Sequence, residues 1–195
     1  MLSSEFIDKK TDEELVPLVL ENQEYFLYLV RRYEEMLMRY IRRISGLAKE
    51  DSEDLLQDIF IKIYQNLNDF NTSLKFSSWV YRIAHNEVIS NYRKVKARPK
   101  TISYNDDPVL INKLASNKDF IKEIEKEYDT KVIRKVLAKM DTKYREALIL
   151  RFLEEKDYKE MSDILQKPIG TVGAMVNRGK GQFKKIVNSE GIDLR

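Results

Sequence analysis

Apolar residues recur at helical spacing along almost the whole chain, and no segment shows the strict apolar–polar alternation of a half-buried strand. This periodicity predicts an all-α protein, and its one long interruption predicts two small helical domains rather than one. Between Lys96 and Asn117, two prolines (Pro99 and Pro108) and the polar run Ser103-Tyr104-Asn105-Asp106-Asp107 leave no sustained period, which reads as a flexible linker. The expected organisation is a first domain over 1–96, a linker over 97–119 and a second domain over 120–195. In a chain of 195 residues, two such domains each expose much surface, so a partner would help to stabilise them.

The individual helices follow from stripes and caps. Thr11 and Glu14 have capping-box spacing and open a first short helix, which Pro17 should end or kink. Phe26, Leu29, Val30, Tyr33, Leu37, Tyr40, Ile41 and Ile44 form the stripe of a long helix stopped near Gly46. Asp51 is the expected cap of the next, with Leu55, Leu56, Ile59, Phe60, Ile63, Tyr64 and Leu67 inward. Phe76, Val80, Ile83, Ala84, Val88 and Ile89 mark a further helix. A stripe resumes from Phe120 to Met140, and Asp141 is expected to cap the segment that follows.

Charge is distributed unevenly although the net value is only +3. Arg93, Lys94, Lys96, Arg98 and Lys100 form one acid-free cluster, and Lys167, Arg178, Lys180, Lys184 and Lys185 form a second. Glu50, Asp51, Glu53, Asp54 and Asp58 form a run without a base. Two basic surfaces and one acidic one imply two kinds of partner. The chain has no cysteine and a single histidine, His85, which argues against disulfides, thiol catalysis and the usual zinc sites. The first residues lack a basic-then-apolar export pattern, and no apolar run reaches the roughly 18 residues that span a bilayer. A cytoplasmic protein is expected.

Near the C-terminus, Asp157 and Glu160 form a second capping box, with Met161, Ile164 and Leu165 inward. Gln166-Lys167-Pro168 makes a turn, and after it Val172, Val176, Gly179, Phe183 and Ile186 give a buried stripe. The opposite face carries Thr171, Ala174, Met175, Arg178, Gln182 and Lys185, with no carboxylate from Lys167 to Lys185. Such a helix can enter a major groove without repelling phosphates. Gly170, Gly173, Gly179 and Gly181 each cost roughly 1 kcal/mol relative to alanine inside a helix. Close approach to DNA or tight packing on the preceding helices would offset this.

These two blocks together resemble the extracytoplasmic-function group of sigma-70 family sigma factors over nearly the whole chain. Asp51 to Phe60 is similar to the family's polymerase-binding helix, and Phe76 to Asn86, around Trp79, to its promoter-melting segment. Arg145 to Leu148, Tyr158 to Met161 and Pro168 to Val172 are similar to the helix-turn-helix that reads the minus-thirty-five element. The resemblance implies a region 2 helical bundle and a region 4 helix-turn-helix, and a sigma factor that directs core RNA polymerase to promoters. It places polymerase contacts, to the clamp helices of the largest subunit, at Asp54, Leu55, Gln57, Asp58 and Ile61. The helix macrodipole alone accounts for acids in a first turn, but not for Gln57 and Asp58.

The same resemblance puts capture of the melted minus-ten strand at Phe70, Asn71, Trp79, Tyr81, Arg82, Asn86, Arg93 and Lys94. Aromatic faces stack a flipped base, an amide reads an edge, and cations position the phosphates. Trp79 has an equal claim to being a core residue. Upstream contacts fall to Lys167, Thr171, Ala174, Met175, Arg178, Lys180 and Lys185. Here the chain departs from the family: Gly173, Ala174 and Met175 replace polar or basic residues, and Gln166 stands where glycine is common. Ala174 and Met175 suit thymine methyls, and Arg178 suits a phosphate or guanine.

The resemblance also implies promoter DNA and an anti-sigma factor, often membrane-linked, as partners, with no cofactor, no metal, no small-molecule substrate and no enzymatic activity. The rival reading is a helix-turn-helix transcriptional regulator with an N-terminal helical sensor or interaction domain, which does not require an acidic docking helix joined to an aromatic segment. A magnesium enzyme built on Asp51, Asp54 and Asp58 would need a second acidic cluster to complete the oxygen shell, and no comparable run faces a pocket-like stretch elsewhere.

Overall fold

The computed structural model describes residue 7, residues 9–96 and residues 130–191. The linker over 97–119, the expected helical stretch from Phe120 to Asp129 and the side chains of residues 94–96 lie outside the described residues. Every regular element among the described residues is helical. The chain divides into two compact units, one ending at Ser103 and the other beginning at Tyr104.

The first unit contains α1 (Asp12–Glu21), α2 (Phe26–Ser45), α3 (Lys49–Gln65) and α4 (Phe76–Lys96). Its capping box forms as the spacing requires: Thr11 N–H donates to Glu14 at 2.8 Å and Glu14 N–H to the Thr11 hydroxyl at 3.3 Å. Pro17 lies inside α1 without ending it. The proline is exposed, and it deprives only the Glu13 carbonyl of an N–H four residues on. Asp12 ties α1 to α2 through Arg32 at 2.7 Å and through the Tyr33 hydroxyl. Burial, reinforced by the Asp12 hydrogen bond, raises the Tyr33 phenol above its ordinary range.

α2, α3 and α4 pack on one another through Leu29, Leu37, Ile41, Leu56, Ile59, Ile63, Val80, Ala84 and Val88, all at most 5% exposed. Gly46 ends α2 with φ 66°, a left-handed conformation that glycine adopts without a Cβ penalty. α3 is not capped by Asp51. It begins at Lys49 behind Ala48, with no side chain bonded to its first amides, and Asp51 falls inside the first turn. There it still favours the macrodipole, the other physical role open to an acid near a helix start.

The second unit contains α5 (Thr130–Lys139), α6 (Thr142–Leu148), a π-helical turn (Ile149–Leu153), α7 (Tyr158–Leu165) and α8 (Ile169–Ser189). α8 packs against α5, α6 and α7. Its inward stripe is Val172, Met175, Val176, Gly179, Phe183 and Val187. Val187 rather than Ile186 closes that stripe. Asp141 stands at the cap position of α6 without a side-chain bond; its own N–H donates to Gln182 of α8 at 3.2 Å. The Asp157–Glu160 capping box opens α7. α7 ends on Gln166 at φ 52°, whose amide N–H donates to the Asp163 carbonyl at 2.6 Å. Ser162 holds the next residue, its hydroxyl donating to the Lys167 carbonyl at 2.6 Å and its carbonyl accepting the Lys167 N–H at 3.2 Å. Two helices and a tight, bonded turn result.

Candidate docking face and nucleic-acid interface

Asp54, Gln57, Asp58 and Ile61 occupy positions i, i+3, i+4 and i+7 of α3, and all four are exposed. They make one face that mixes two carboxylates, an amide and an aliphatic side chain 54% exposed. Leu55 does not belong to it. At 4% exposure it sits about 100° round the helix from Asp54, on the stripe that continues to Ile59, and it serves the core. The face extends instead to Tyr64, 42% exposed, whose ring lies 5.1 Å from Phe26. Sequence periodicity assigned Tyr64 to the core; its i+3 spacing from Ile61 was the signal for the other assignment.

The loop before α4 and the start of α4 are built on three rings. Phe70, Phe76 and Trp79 lie 5.1 to 5.5 Å apart, and Phe70 and Trp79 are 7% and 8% exposed. Glu13 of α1 accepts the Phe76 N–H at 2.8 Å, satisfying one of the open amides of α4. The faces of Phe70 and Trp79 are therefore used within the unit, where the resemblance made them stacking surfaces. Tyr81 also turns inward, 2% exposed with its ring 5.0 Å from Tyr40, because it falls on the α4 face that meets α2. Tyr40 in turn hydrogen-bonds His85 Nδ1 at 3.2 Å, which gives the lone histidine a packing role.

Around this cluster the structure leaves polar groups accessible. Asn71 is exposed, and its side-chain oxygen accepts the Ser73 N–H at 3.0 Å and hydroxyl at 2.8 Å, which engages the oxygen and not the NH2 group. Arg82, Asn86 and Arg93 follow one face of α4, Arg82 half-buried and the others exposed. Lys94 continues the helix, its side chain outside the described residues.

In the second unit Thr171, Ala174, Arg178 and Lys185 are exposed along one face of α8, with Lys167 exposed in the preceding turn. Met175 leaves this set: it is 7% exposed and packs with the inward stripe, being one turn from both Val172 and Gly179. Lys180 leaves it too. It lies roughly 200° round the helix from Arg178 and its ammonium sits 5.3 Å from the Phe152 ring centroid. The Gln182 side-chain oxygen accepts the Asp141 N–H. Among the glycines, Gly179 has a packing reason, since a Cβ there would meet Leu148 at 3.1 Å and the Tyr144 carbonyl at 3.2 Å, whereas Gly170, Gly173 and Gly181 have open space. Beneath the turn, Glu146 of α6 is 6% exposed, and burial pushes its carboxyl up to about 7 against the opposing charges of Arg145 and Lys167.

The arrangement offers a protein-docking face in one unit and basic, acid-free helix surfaces suited to nucleic acid in both. Comparison with known proteins gives the family. Residues 29–98 match the family model of Sigma-70 region 2, and residues 130–183 match that of Sigma-70, region 4. The chain is 33% identical over 160 residues to the RNA polymerase sigma factor SigZ of Bacillus subtilis, covering 80% of this chain and 83% of that one. It is 28% identical over 171 residues to the ECF RNA polymerase sigma factor SigW of the same organism, covering 84% and 89%. In fold it is similar to the sigma factor RpoE of Bartonella quintana, solved in complex with the anti-sigma factor NepR, with TM-score 0.65 and 21% identity over 84% of this chain and 96% of that one.

Proposed function

The chain belongs to the sigma-70 family of RNA polymerase sigma factors, in its extracytoplasmic-function group, and from that premise we propose how its residues divide the work of initiation. It acts in promoter-specific transcription initiation with RNA polymerase, and a regulator with a sensory first domain is not favoured, because region 2 accounts for that domain. In this reading region 2 occupies 1–96, region 4 occupies 120–195 and 97–119 links them. Asp54, Gln57, Asp58 and Ile61, with Tyr64, meet the largest-subunit clamp helices, where charge complementarity sets the register.

Asn71 and Asn86 read the melted minus-ten strand with the free hydrogen-bonding capacity of their amides. Arg82, Arg93 and Lys94 hold its phosphates, and the Phe70–Phe76–Trp79 cluster is the rigid floor under the reading loop. In region 4, Thr171 and Ala174 approach base edges while Lys167, Arg178 and Lys185 bind phosphate. The protein works by binding, in the cytoplasm where the polymerase is, without chemistry of its own. No helix among the described residues is long and apolar enough to cross a membrane. An anti-sigma factor that covers these surfaces is a further expected partner, as one is for the Bartonella quintana protein.

The observation that carries the reading is the α3 face, where Asp54, Gln57, Asp58 and Ile61 share one exposed surface. In vitro transcription with core polymerase on a promoter library tests it directly. Template-dependent initiation at a defined minus-thirty-five and minus-ten pair is the expected result, and absence of any promoter preference over core polymerase alone would refute it.

A further inference from the structure

The outermost line of α8 is nearly bare. At about 100° per residue, Gly170, Ala174, Asn177 and Gly181 stand one above another, diametrically opposite the buried stripe, and all four are exposed. No atom lies within 4 Å of a Cβ built on Gly170 or Gly181, so packing within the chain does not demand glycine at either. Asn177 alone on this line has a side chain able to reach outward. Its amide has no hydrogen-bond partner among the described residues, in contrast to the Gln182 amide, whose oxygen accepts the Asp141 N–H.

A carboxamide offers one acceptor beside one donor, and among base edges in the major groove this pair matches adenine, which presents N7 as acceptor and N6–H2 as donor. Phosphate offers only acceptors and would use half of the group. The flat surface above and below lets the helix sink until Asn177 meets a base edge, while Thr171 and Arg178 flank it. We propose that Asn177 reads an adenine of the upstream promoter element by a bidentate contact, and that the bare Gly170–Gly181 line permits the approach. This deepens the region 4 reading and rests on it.

The test uses the full chain assembled with core polymerase. Selection from an upstream-randomised promoter library gives the favoured element. Each adenine in that element, on either strand, is then replaced by 7-deazaadenine, which removes N7 alone. The wild-type protein should lose about twofold to tenfold in affinity at one adenine, the weight of one of the two hydrogen bonds of a bidentate contact. Asn177→Ala should bind the natural and deaza elements equally, and Gly181→Leu, which obstructs the approach, should behave likewise, both with unchanged helical content by circular dichroism. Wild-type indifference to every deaza substitution, or discrimination retained in Asn177→Ala, overturns the proposal while leaving an upstream preference intact. If the library yields no upstream preference, the region 4 reading itself fails and the proposal with it.

Discussion

The Glu13 carboxylate accepts the N–H of Phe76 at 2.8 Å, so that α1 caps α4 across 63 residues of sequence. The bond fixes the start of the helix that bears Trp79, Arg82 and Asn86. Glu13→Ala should therefore cost about 0.5–2 kcal/mol, the usual worth of a helix cap. Denaturant unfolding followed by the fluorescence of Trp79, the only tryptophan, reads this loss in the first unit alone. Glu13→Gln retains an acceptor and should recover most of it.

Adjacent positions of α3 should separate stability from docking. Leu55→Ala removes a buried side chain and should destabilise the first unit by roughly 2–5 kcal/mol. Ile61→Ala, at an exposed site, should change stability by less than about 0.5 kcal/mol yet weaken binding to core polymerase. Asp58→Lys should weaken it by several kcal/mol through charge reversal, with helical content intact. Co-elution with core polymerase, set beside the unfolding midpoints, distinguishes the two classes. Loss of binding by Leu55→Ala alone would contradict the assignment of the face.

A similar contrast holds along α4. Tyr81→Ala should unfold the first unit, at a cost of about 3–5 kcal/mol, because its ring fills the space beside Tyr40. Asn86→Ala should leave the fold untouched and reduce open-complex formation more than closed-complex binding. Permanganate reactivity of promoter thymines measures this. A pre-melted template should restore part of the activity, since the unpairing cost is then removed.

Glycine substitutions on α8 should have opposite signs. Gly181→Ala adds a methyl to open space and should stabilise the second unit by up to about 1 kcal/mol. Gly179→Ala gains the same propensity but presses Leu148 and a backbone carbonyl, and overpacking of about 1–3 kcal/mol should outweigh the gain. Thermal unfolding followed by circular dichroism gives the order Gly181→Ala, wild type, Gly179→Ala; any other order contradicts the account of the α6–α8 contact.

Glu146 should make the second unit sensitive to pH. Its carboxyl is raised from 4.5 to about 7 in the folded state, so folding favours the proton-bound form. The stabilisation is complete below pH 4.5 and fades as the pH climbs through 7. Glu146→Gln cannot titrate, and relative to wild type it should gain up to about 3 kcal/mol between pH 4.5 and 8, from a shift of 7 − 4.5 = 2.5 units. Urea unfolding of both proteins at several pH values measures the gap; a gap independent of pH would show that burial does not hold the proton.

What the sequence made legible is what local chemistry decides. Both capping boxes, Thr11–Glu14 and Asp157–Glu160, form because each needs only residues three apart. The stripes of α2, α3 and α4 are likewise local periodicities. The residues whose burial the periodicity did not give lie at the edges of stripes, because a neighbouring element decides how far round a helix burial extends. Met175 and Tyr81 are inward for this reason; Lys180 lies off the Thr171–Arg178 face by helix geometry alone, and Leu55 stands one residue from the exposed Asp54. Asp51 yielded the cap position to Ala48, although a carboxylate is the better cap. The Glu13–Phe76 bond spans 63 residues and has no local signature.

The turn between α7 and α8 has a thermodynamic consequence. Gln166 holds the left-handed conformation with its own side chain bonded to Asp163, and Ser162 bonds both polar groups of the Lys167 backbone. A glycine there would bring a wider unfolded ensemble and no side-chain anchor. In the proposed region 4 reading, α8 meets the duplex with its orientation already set, and little backbone entropy remains to be lost on association. On that reading counterion release should supply most of the favourable entropy of the encounter, and ionic strength rather than loop ordering should govern how quickly the second unit lets go.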